Sequence, residues 1–266
     1  MSVIIPTRNS ASTLDKCLTS IDCQTYHDFE VLVIDNYSTD ATAHIAKRHE
    51  VAFLQFGPER SSQVNFGVQE SHGKYIYRVD SDMLVSPDVI SQAVATCEGF
   101  SLDGVIIRSV SDAGISYWSK VRSYERSNLY DFDRNVAVRF ISKRAFSEIG
   151  GFDQELSGFE DYDLHDRFVQ AGFKYGRIAA GELHIGEPRA MAEIVRKHFY
   201  YGKFLATYLR KDNGNIGRVT PLREGQLTML MRMKSEPSVI VGFALYQYIR
   251  YFSALVGMLS AQWLSL

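Results

Sequence analysis

Cysteine is scarce in this chain of 266 residues, which has only Cys17, Cys23 and Cys97. The number is odd, and the sequence contains neither a CxxC pair nor zinc-like spacing, so a disulfide framework and a zinc site are not expected. We therefore expect all three cysteines to be small, buried, structural residues in a reducing compartment.

An excess of charge of one sign is also missing. The chain has 29 basic and 31 acidic residues, a formal net charge of -2, so no polycationic surface is indicated and nucleic acid is not an expected partner. The opening stretch MSVIIPTRNS lacks the charged start and long apolar region of a signal peptide, and we expect the protein to face the cytoplasm.

What the chain does contain is enough apolar sequence, 45% of its residues, to bury a large core. Four short β-rich runs, at residues 2–6, 30–35, 51–56 and 74–79, alternate with segments of helical spacing. This pattern predicts an α/β fold with a mostly parallel sheet flanked by helices. Polar stretches follow each run (PTRN, DNYSTD, GPERSS and DSD), and ligands bind beyond the carboxyl ends of such strands. The sequence thus predicts a site at this edge.

The second half is more mixed. We predict a strand at residues 103–110, a helix over ISYWSKVRSYERSNLYD, a strand over NVAVRFISK and a helix over GFEDYDLHDRFVQAG. The stretch FKYGRIAAGELHIGE is predicted to form a hairpin or two short strands. Long helical segments follow from about Pro188, so we expect a catalytic domain over residues 1–187 and a helical C-terminal region over residues 188–266.

The stretch RVDSDMLVSPD places Asp80 and Asp82 on either side of Ser81, at the end of a predicted buried strand. Like charges repel there, and burying them is costly. A divalent cation would relieve the repulsion, because Mg²⁺ and Mn²⁺ prefer oxygen ligands and are commonly held by one or two carboxylates plus phosphate oxygens. A solvated turn is the alternative. The position in the strand series favours a metal that also binds a diphosphate.

Four motifs, in this order, now carry a resemblance to a known family: SVIIPTRNSASTLDKCLTSI, VLVIDNYSTDAT, RSSQVNFGVQESHGKYIYRVDSDMLVSPDVI and FSEIGGFDQELSGFEDYDLHDRFVQAG. The chain resembles the inverting, nucleotide-sugar-dependent glycosyltransferases of family 2, over residues 2 to about 172 and, with ELHIGE, to about 187. The resemblance implies the Rossmann-like GT-A fold, a nucleotide-sugar donor and Mn²⁺ or Mg²⁺ as cofactor.

The resemblance also assigns roles at the nucleotide end. Asp35 and Asn36 occupy the place where the family grips the base and ribose. Many relatives have two aspartates there, and Asn36 departs from that pattern. Because its amide can both donate and accept hydrogen bonds, UDP-, GDP- and dTDP-linked sugars are all possible donors. A helix N-cap is the alternative for Asp35. Further donor-binding residues are expected to be Pro6, Arg8, Arg60, Asp80, Ser81, Gly151 and Glu160.

The expected metal ligands are Asp82, which would bridge to the phosphates, with Asp80 and His184. Imidazole suits manganese slightly better than magnesium. A surface salt bridge for Arg60 and a structural histidine at position 184 are the alternatives. Asp161 matches the aspartate that removes the acceptor's proton in the family, so a single displacement would invert the anomeric centre. An acidic pair at a helix start also complements the helix dipole.

The composition of the C-terminal region predicts contact with a membrane. Residues 190–211 combine Arg196, Lys203 and Arg210 with many aromatic side chains, and residues 239–266 have Arg250 as their only charge. We expect an in-plane or re-entrant helix rather than a spanning one, because Arg250 would lie near the middle of a span. A core or dimer helix is the alternative.

The first functional hypothesis is a transferase acting on a lipid-linked polyprenyl acceptor, peripherally bound to the inner face of the cell membrane. A soluble transferase for polysaccharides or small molecules, and an inactive nucleotide-sugar-binding module, are the alternatives. A glycoside hydrolase would not need the nucleotide motifs. Sequence leaves a homo-oligomer open.

Overall fold

The computed structural model describes residues 1–130, 132, 135–211, 219–220, 229–231 and 236–263. The chain divides into two compact units. The first unit is Met1–Arg108, Ala137–Gln154 and Glu160–Gly186, and the second unit is Ser109–Val136, Glu155–Phe159 and Glu187–Leu266. Residues 264–266 of the predicted C-terminal helix lie outside the described residues.

Eight strands form one sheet in the order β3-β2-β1-β4-β7-β6-β8-β5. Their bounds are β1 Ser2–Thr7, β2 Glu30–Asp35, β3 Ala52–Gln55, β4 Tyr75–Arg78, β5 Met83–Val85, β6 Gly104–Ser111, β7 Phe140–Ser142 and β8 Tyr175–His184. The first four strands pair in parallel, whereas β7 is antiparallel to β4 and β6, and β5 is antiparallel to β8. The predicted α/β sheet flanked by helices is therefore confirmed, with its parallel part in the first half of the chain.

Helices alternate with these strands. They are α1 Leu14–Asp22, α2 Thr42–Arg48, α3 Arg60–Glu70, α4 Val89–Phe100, α5 Tyr117–Leu129, α6 Lys143–Glu148, α7 Glu160–Gln170, α8 Met191–Lys211 and α9 Pro237–Trp263. In α1, Leu14, Cys17, Leu18 and Ile21 recur at helical spacing and are all fully buried. β1 is buried along its whole length, so its apolar run packs on both faces.

Parallel pairing places the ends of the first strands together. Thr7 of β1 lies opposite Asp35 of β2, and Asp35 lies opposite Gln55 of β3. The backbone N–H of Val79, just after β4, donates to the carbonyl of Ile4 at 3.0 Å. The polar stretches that follow these strands thus start from one edge, as predicted.

The hairpin predicted over FKYGRIAAGELHIGE is wrong, because this stretch forms the single ten-residue strand β8. Gly181 in this strand does not form a turn but allows a neighbouring backbone to approach closely. A Cβ on Gly181 would lie 2.5 Å from the carbonyl oxygen of Arg108. NVAVRFISK is a strand only over β7, and β5 was not predicted. Cys17 and Cys97 are buried as expected, but Cys23 is exposed, contrary to expectation.

In the described part of the second unit, α5, α8 and α9 pack together. A Cβ on Gly202 of α8 would lie 2.1 Å from the Ala254 carbonyl oxygen, and one on Gly257 of α9 would lie 2.0 Å from that of Phe199. These contacts show that α8 and α9 run antiparallel with their backbones close together. Glycine is needed at both positions because any side chain would separate the helices.

The only charged side chain of α9, Arg250, points inward. Its Nη1 lies 2.9 Å from Oε1 of Glu125 on α5, and it also contacts Gln247. Arg250 and Glu125 are both buried. The arginine in the middle of the apolar tail is thus compensated inside the second unit.

Candidate active site

The first pair of functional side chains is Asp82 and His184. His184 ends β8 and lies opposite Met83 of β5, so the strand pairing places it beside the residue before Met83. His184 Nε2 lies 3.1 Å from Asp82 Oδ2. The backbone N–H of Ile185 donates to the Asp82 carbonyl at 2.8 Å, which ties the two segments together.

Gly186 leaves the space that the Asp82 carboxylate occupies. A Cβ at position 186 would lie 2.1 Å from Asp82 Oδ2 and 2.7 Å from its Cγ. Any larger residue must push the carboxylate away from where it now lies beside His184. Sequence reasoning did not single out Gly186, and the glycine after ELHI was the only signal.

The donor set of Asp82 and His184 fits a divalent cation. Two neighbouring ligands of an octahedral ion, each about 2.1 Å from it, lie about 3 Å apart, which matches the separation of Oδ2 and Nε2. The Asp82 side chain is 30% exposed, so other positions are accessible to phosphate oxygens. In the described part of the chain, no group of three or more His, Cys, Asp or Glu is arranged to hold a metal.

Asp80 lies among arginines. Its Oδ1 is 3.3 Å from Arg60 Nη1, and its Oδ2 is 2.9 Å from Arg139 Nη2 and 3.7 Å from Arg78 Nη2. Burial acts to raise the pKa of Asp80, but the positive charges of Arg78, Arg60 and Arg139 outweigh it and hold that pKa well below its usual range. The Asp80 carboxylate is therefore ionised and lies against three guanidinium groups.

Arg139 connects this cluster to β8. Its Nη1 lies 3.2 Å from Glu182 Oε2, and the Tyr77 hydroxyl donates to Glu182 Oε1 at 2.5 Å. Burial raises the pKa of Glu182 and raises the pKa of Tyr77 well above its usual value. Arg139, Glu182 and Tyr77 thus form a buried layer beneath Asp80.

The first turn of α7 supplies two further carboxylates. Asp161 is held by Arg78 from β4, with Nη1 2.8 Å from Oδ1 and Nη2 donating to Oδ2 at 3.0 Å. Glu160 is buried and accepts from Arg60 Nε at 3.0 Å. The predicted base and its predicted neighbour therefore have different arginine partners.

The nucleotide end contains Asp35 and Asn36. The Asp35 carboxylate is fully buried and accepts from the Thr7 hydroxyl at 2.9 Å, the Ser38 hydroxyl at 2.5 Å and the Ser38 backbone N–H at 2.8 Å. Asn36 donates its amide to the Pro58 carbonyl. Asp35 thus joins the ends of β1 and β2, and its role toward a nucleotide stays a prediction.

The other predicted donor-binding residues lie in the same unit. Pro6 is buried within β1 opposite Ile34, Arg8 is exposed just beyond β1, and the Ser81 hydroxyl donates to the Ser10 hydroxyl at 2.9 Å. Gly151 has a φ of +69°, and a Cβ there would lie 2.7 Å from Asn65 Oδ1. Asn65 accepts from the Phe152 N–H and donates to its carbonyl, both at 2.8 Å. Packing against Asn65 is thus the observed reason for a glycine at 151.

The structure brings together Asp80, Arg60, Glu160 and Asp161 in one charged cluster, and Asp82 with His184 in a pair. Sequence reasoning missed Arg78, Arg139 and Glu182, which supply much of this cluster. The sequence could have indicated them, because each is a charged residue within a predicted strand (YIYR, VAVRF and GELH). A charge buried in a strand needs a partner of opposite charge.

A sheet of this topology, with acidic groups beyond the ends of its first strands, is that of a GT-A glycosyltransferase. The sequence model described as Glycosyl transferase family 2 matches residues 2–157. The chain belongs to this family, and it is a glycosyltransferase.

Among curated relatives, the chain is 27% identical over 238 residues to the glycosyltransferase AglE of Haloferax volcanii, covering 84% of this chain and 78% of AglE. It is 29% identical over 200 residues to the chondroitin synthase of Escherichia coli, covering 68% of this chain but only 29% of that protein. Among solved structures, it resembles the mannosyltransferase PcManGT of Pyrobaculum calidifontis in complex with GDP-Man and Mn²⁺, with a TM-score of 0.66 and 16% identity, covering 98% of this chain and 86% of that one. This likeness shows the fold.

Proposed function

We propose that the protein is a metal-dependent, inverting hexosyltransferase that moves a sugar from a nucleotide-sugar donor to a hydroxyl or phosphate of a lipid-linked polyprenyl acceptor at the inner face of the cell membrane. The observation that carries the enzymatic part is the grouping, in one unit, of a carboxylate–imidazole pair and a partly exposed carboxylate held by arginine. The fold is the same as that of a mannosyltransferase solved with GDP-Man and Mn²⁺.

For a hydroxyl acceptor the chemistry needs one base, whereas an ionised phosphate acceptor needs none. The acceptor oxygen attacks the anomeric carbon, the bond from that carbon to the diphosphate oxygen breaks, and Asp161 takes the acceptor's proton. The nucleoside diphosphate leaves from the opposite face, so the configuration inverts. The Asp161 side chain is 34% exposed, which leaves its outer side accessible to an acceptor hydroxyl.

Asp82 and His184 would hold Mn²⁺ or Mg²⁺. When bound, the ion would neutralise charge that develops on the departing diphosphate. Asp80 is expected to act here through the arginines it holds. Arg60 is 35% exposed and is positioned to reach an anionic donor group by charge-assisted hydrogen bonds.

A panel of UDP-, GDP- and dTDP-linked sugars tests this proposal, with hydrolysis and thermal shift measured in Mn²⁺, Mg²⁺ and EDTA. A ligand that binds only the folded state raises its stability. Asp82→Asn should weaken metal-dependent nucleotide binding. Asp161→Asn should lower kcat by on the order of a hundredfold or more with little change in donor affinity. Nucleotide binding without turnover would favour an inactive nucleotide-sugar-binding module, and equal binding by Asp82→Asn and parent would contradict the metal role.

The membrane part of the proposal depends on α9. This helix of 27 residues is the one in the described part of the chain that is long and apolar enough to cross a membrane. Its exposed side chains include Val241, Leu245, Tyr248, Phe252, Leu255, Val256, Leu259 and Trp263. We call these residues the α9 face. It is uncharged over a length of about 33 Å at 1.5 Å per residue, whereas Arg196, Lys203 and Arg210 of α8 are exposed.

Sedimentation with anionic liposomes tests the α9 face. Deleting α9 would also remove Val239, Phe243 and Tyr246 from the core of the second unit, so the double substitution Phe252→Asp and Leu259→Asp is the sharper variant. We expect it to abolish sedimentation, and high salt to weaken but not abolish that of the parent. Phe100→Asp, at an exposed phenylalanine of α4, is the matched control. A parent that ignores liposomes would favour a soluble transferase or an oligomer interface.

A further inference from the structure

We propose that Arg78 is a positioning residue for Asp161: it fixes the orientation of the carboxylate that accepts the proton. This inference rests on the proposed function, because it assigns Arg78 a role in that reaction.

The first step concerns how firmly Arg78 itself is held. It ends β4, and its backbone N–H donates to the carbonyl of Arg139 at 3.1 Å. Its guanidinium carbon lies 5.6 Å from the centre of the Phe152 ring, and its side chain is only 5% exposed. A guanidinium packed in this way has lost most of its freedom before any substrate binds.

The second step concerns its contact with Asp161. Each terminal nitrogen of Arg78 lies near a different oxygen of the carboxylate: Nη2 donates a hydrogen bond to Oδ2 at 3.0 Å, and Nη1 makes an ion-pair contact with Oδ1 at 2.8 Å that lacks hydrogen-bond geometry. Contacts to both oxygens restrict the rotation of a carboxylate more than one contact does. Each oxygen has two lone pairs, so one on each stays available on the exposed side.

The third step separates Arg78 from its neighbours. Arg60 and Arg139 contact Asp80, but their other carboxylate partners are Glu160 and Glu182 respectively. Arg78 contacts both Asp80 and Asp161. A change at Arg78 should therefore affect the proton-transfer step. Arg139 makes no ion pair with Asp161 and influences it only through its charge, which Arg139→Lys keeps.

Arg78→Lys keeps the charge but cannot contact both oxygens in parallel. We expect kcat to fall by about tenfold to a hundredfold, the usual effect of removing a group that orients a reacting side chain. The donor KM should change by less than about threefold, because Arg78→Lys keeps the positive charge beside Asp80. A merely structural role would lower the melting temperature and raise KM as well.

A double-mutant cycle with Asp161→Asn decides the matter. If Arg78 acts through Asp161, Arg78→Lys should change kcat by less than about twofold in the Asp161→Asn background. Arg139→Lys is the matched control, and its effect on kcat should multiply with that of Asp161→Asn. If the fold-reductions in kcat caused by Arg78→Lys and Asp161→Asn multiply in the double mutant, the proposal is overturned.

Two other outcomes are informative. If the melting temperature of Arg78→Lys is below that of the parent, Arg78→Gln replaces it in the double-mutant cycle. If neither variant folds, Arg78 has a structural role and the proposal is overturned. A parent without turnover on any nucleotide sugar would overturn the proposed function together with this inference, whereas an active parent with multiplying effects overturns this inference alone.

Discussion

Replacing Gly186 with alanine should disable the Asp82–His184 pair. The new Cβ would lie 2.1 Å from Asp82 Oδ2, 2.7 Å from Cγ and 2.8 Å from Cβ. Non-bonded contacts of a Cβ essentially never fall under 3.0 Å, so the carboxylate must move by about 1 Å or more. Rotation of the Asp82 side chain can relieve the contacts to Oδ2 and Cγ but not the one to Cβ, so the backbone must also shift by a few tenths of an ångström against the hydrogen bond from Ile185 to Asp82.

A displacement of about 1 Å costs on the order of a hundredfold when it affects a catalytic arrangement, or about 2.7 kcal/mol at 1.36 kcal/mol per tenfold. We therefore expect Gly186→Ala to lower metal-dependent kcat/KM by about a hundredfold. Mn²⁺-dependent affinity for the nucleoside diphosphate selected by the donor panel should fall by about tenfold to a hundredfold. The partly exposed Asp82 carboxylate can move into solvent, but the backbone shift should lower the melting temperature by a few degrees.

The assay is calorimetric titration of Mn²⁺ and nucleoside diphosphate, together with steady-state turnover. Gly99→Ala is the matched control, because no atom lies within 4 Å of its added Cβ. This control should keep parental activity and gain up to about 1 kcal/mol of stability as a helical glycine-to-alanine change. If Gly186→Ala keeps the metal-dependent nucleotide affinity and the turnover of the parent, the placement of the ion at Asp82 is refuted.

Two further predictions concern stability. Glu125→Gln leaves Arg122 and Arg250 without their shared carboxylate in the second unit, and should lower the free energy of unfolding by about 3–5 kcal/mol in chemical denaturation. Glu98→Gln, from an exposed ion pair with Lys74, should change the free energy of unfolding much less, and equal effects of the two substitutions would contradict this reasoning. Burial acts to lower the pKa of His49, but its hydrogen bonds to Asp15 and Asp22 outweigh burial and raise it. The stabilising effect of His49 should therefore be full below about pH 6.5, the usual pKa of histidine, and should be lost as the pH rises through the raised pKa of His49. The difference in free energy of unfolding between the parent and His49→Gln should shrink from pH 5.5 to 8.5. A constant difference would contradict the assignment.

Local patterns predicted the framework well. The strands at residues 2–6 and 30–35 are β1 and β2, and the helix in GFEDYDLHDRFVQAG is α7, because apolar spacing and helix-end signals are properties of adjacent residues. FKYGRIAAGELHIGE was misread for the same reason. Its glycines are typical of turns locally, but Gly181 is needed because the Arg108 carbonyl lies against it.

Sequence by itself determined the family, the sheet edge where the polar residues gather, the candidate metal ligands Asp82 and His184 and the candidate base Asp161, because motifs preserve residue type and order. Only the tertiary structure decided which charges meet. Arg78 and Asp161 are 83 positions apart, and Arg60 and Glu160 are 100 apart. No local rule relates such residues, since their pairing is set by strand order and by the cost of burying an unpaired charge. The same reason explains Arg250, whose isolated charge in an apolar sequence is paired with Glu125 of another helix.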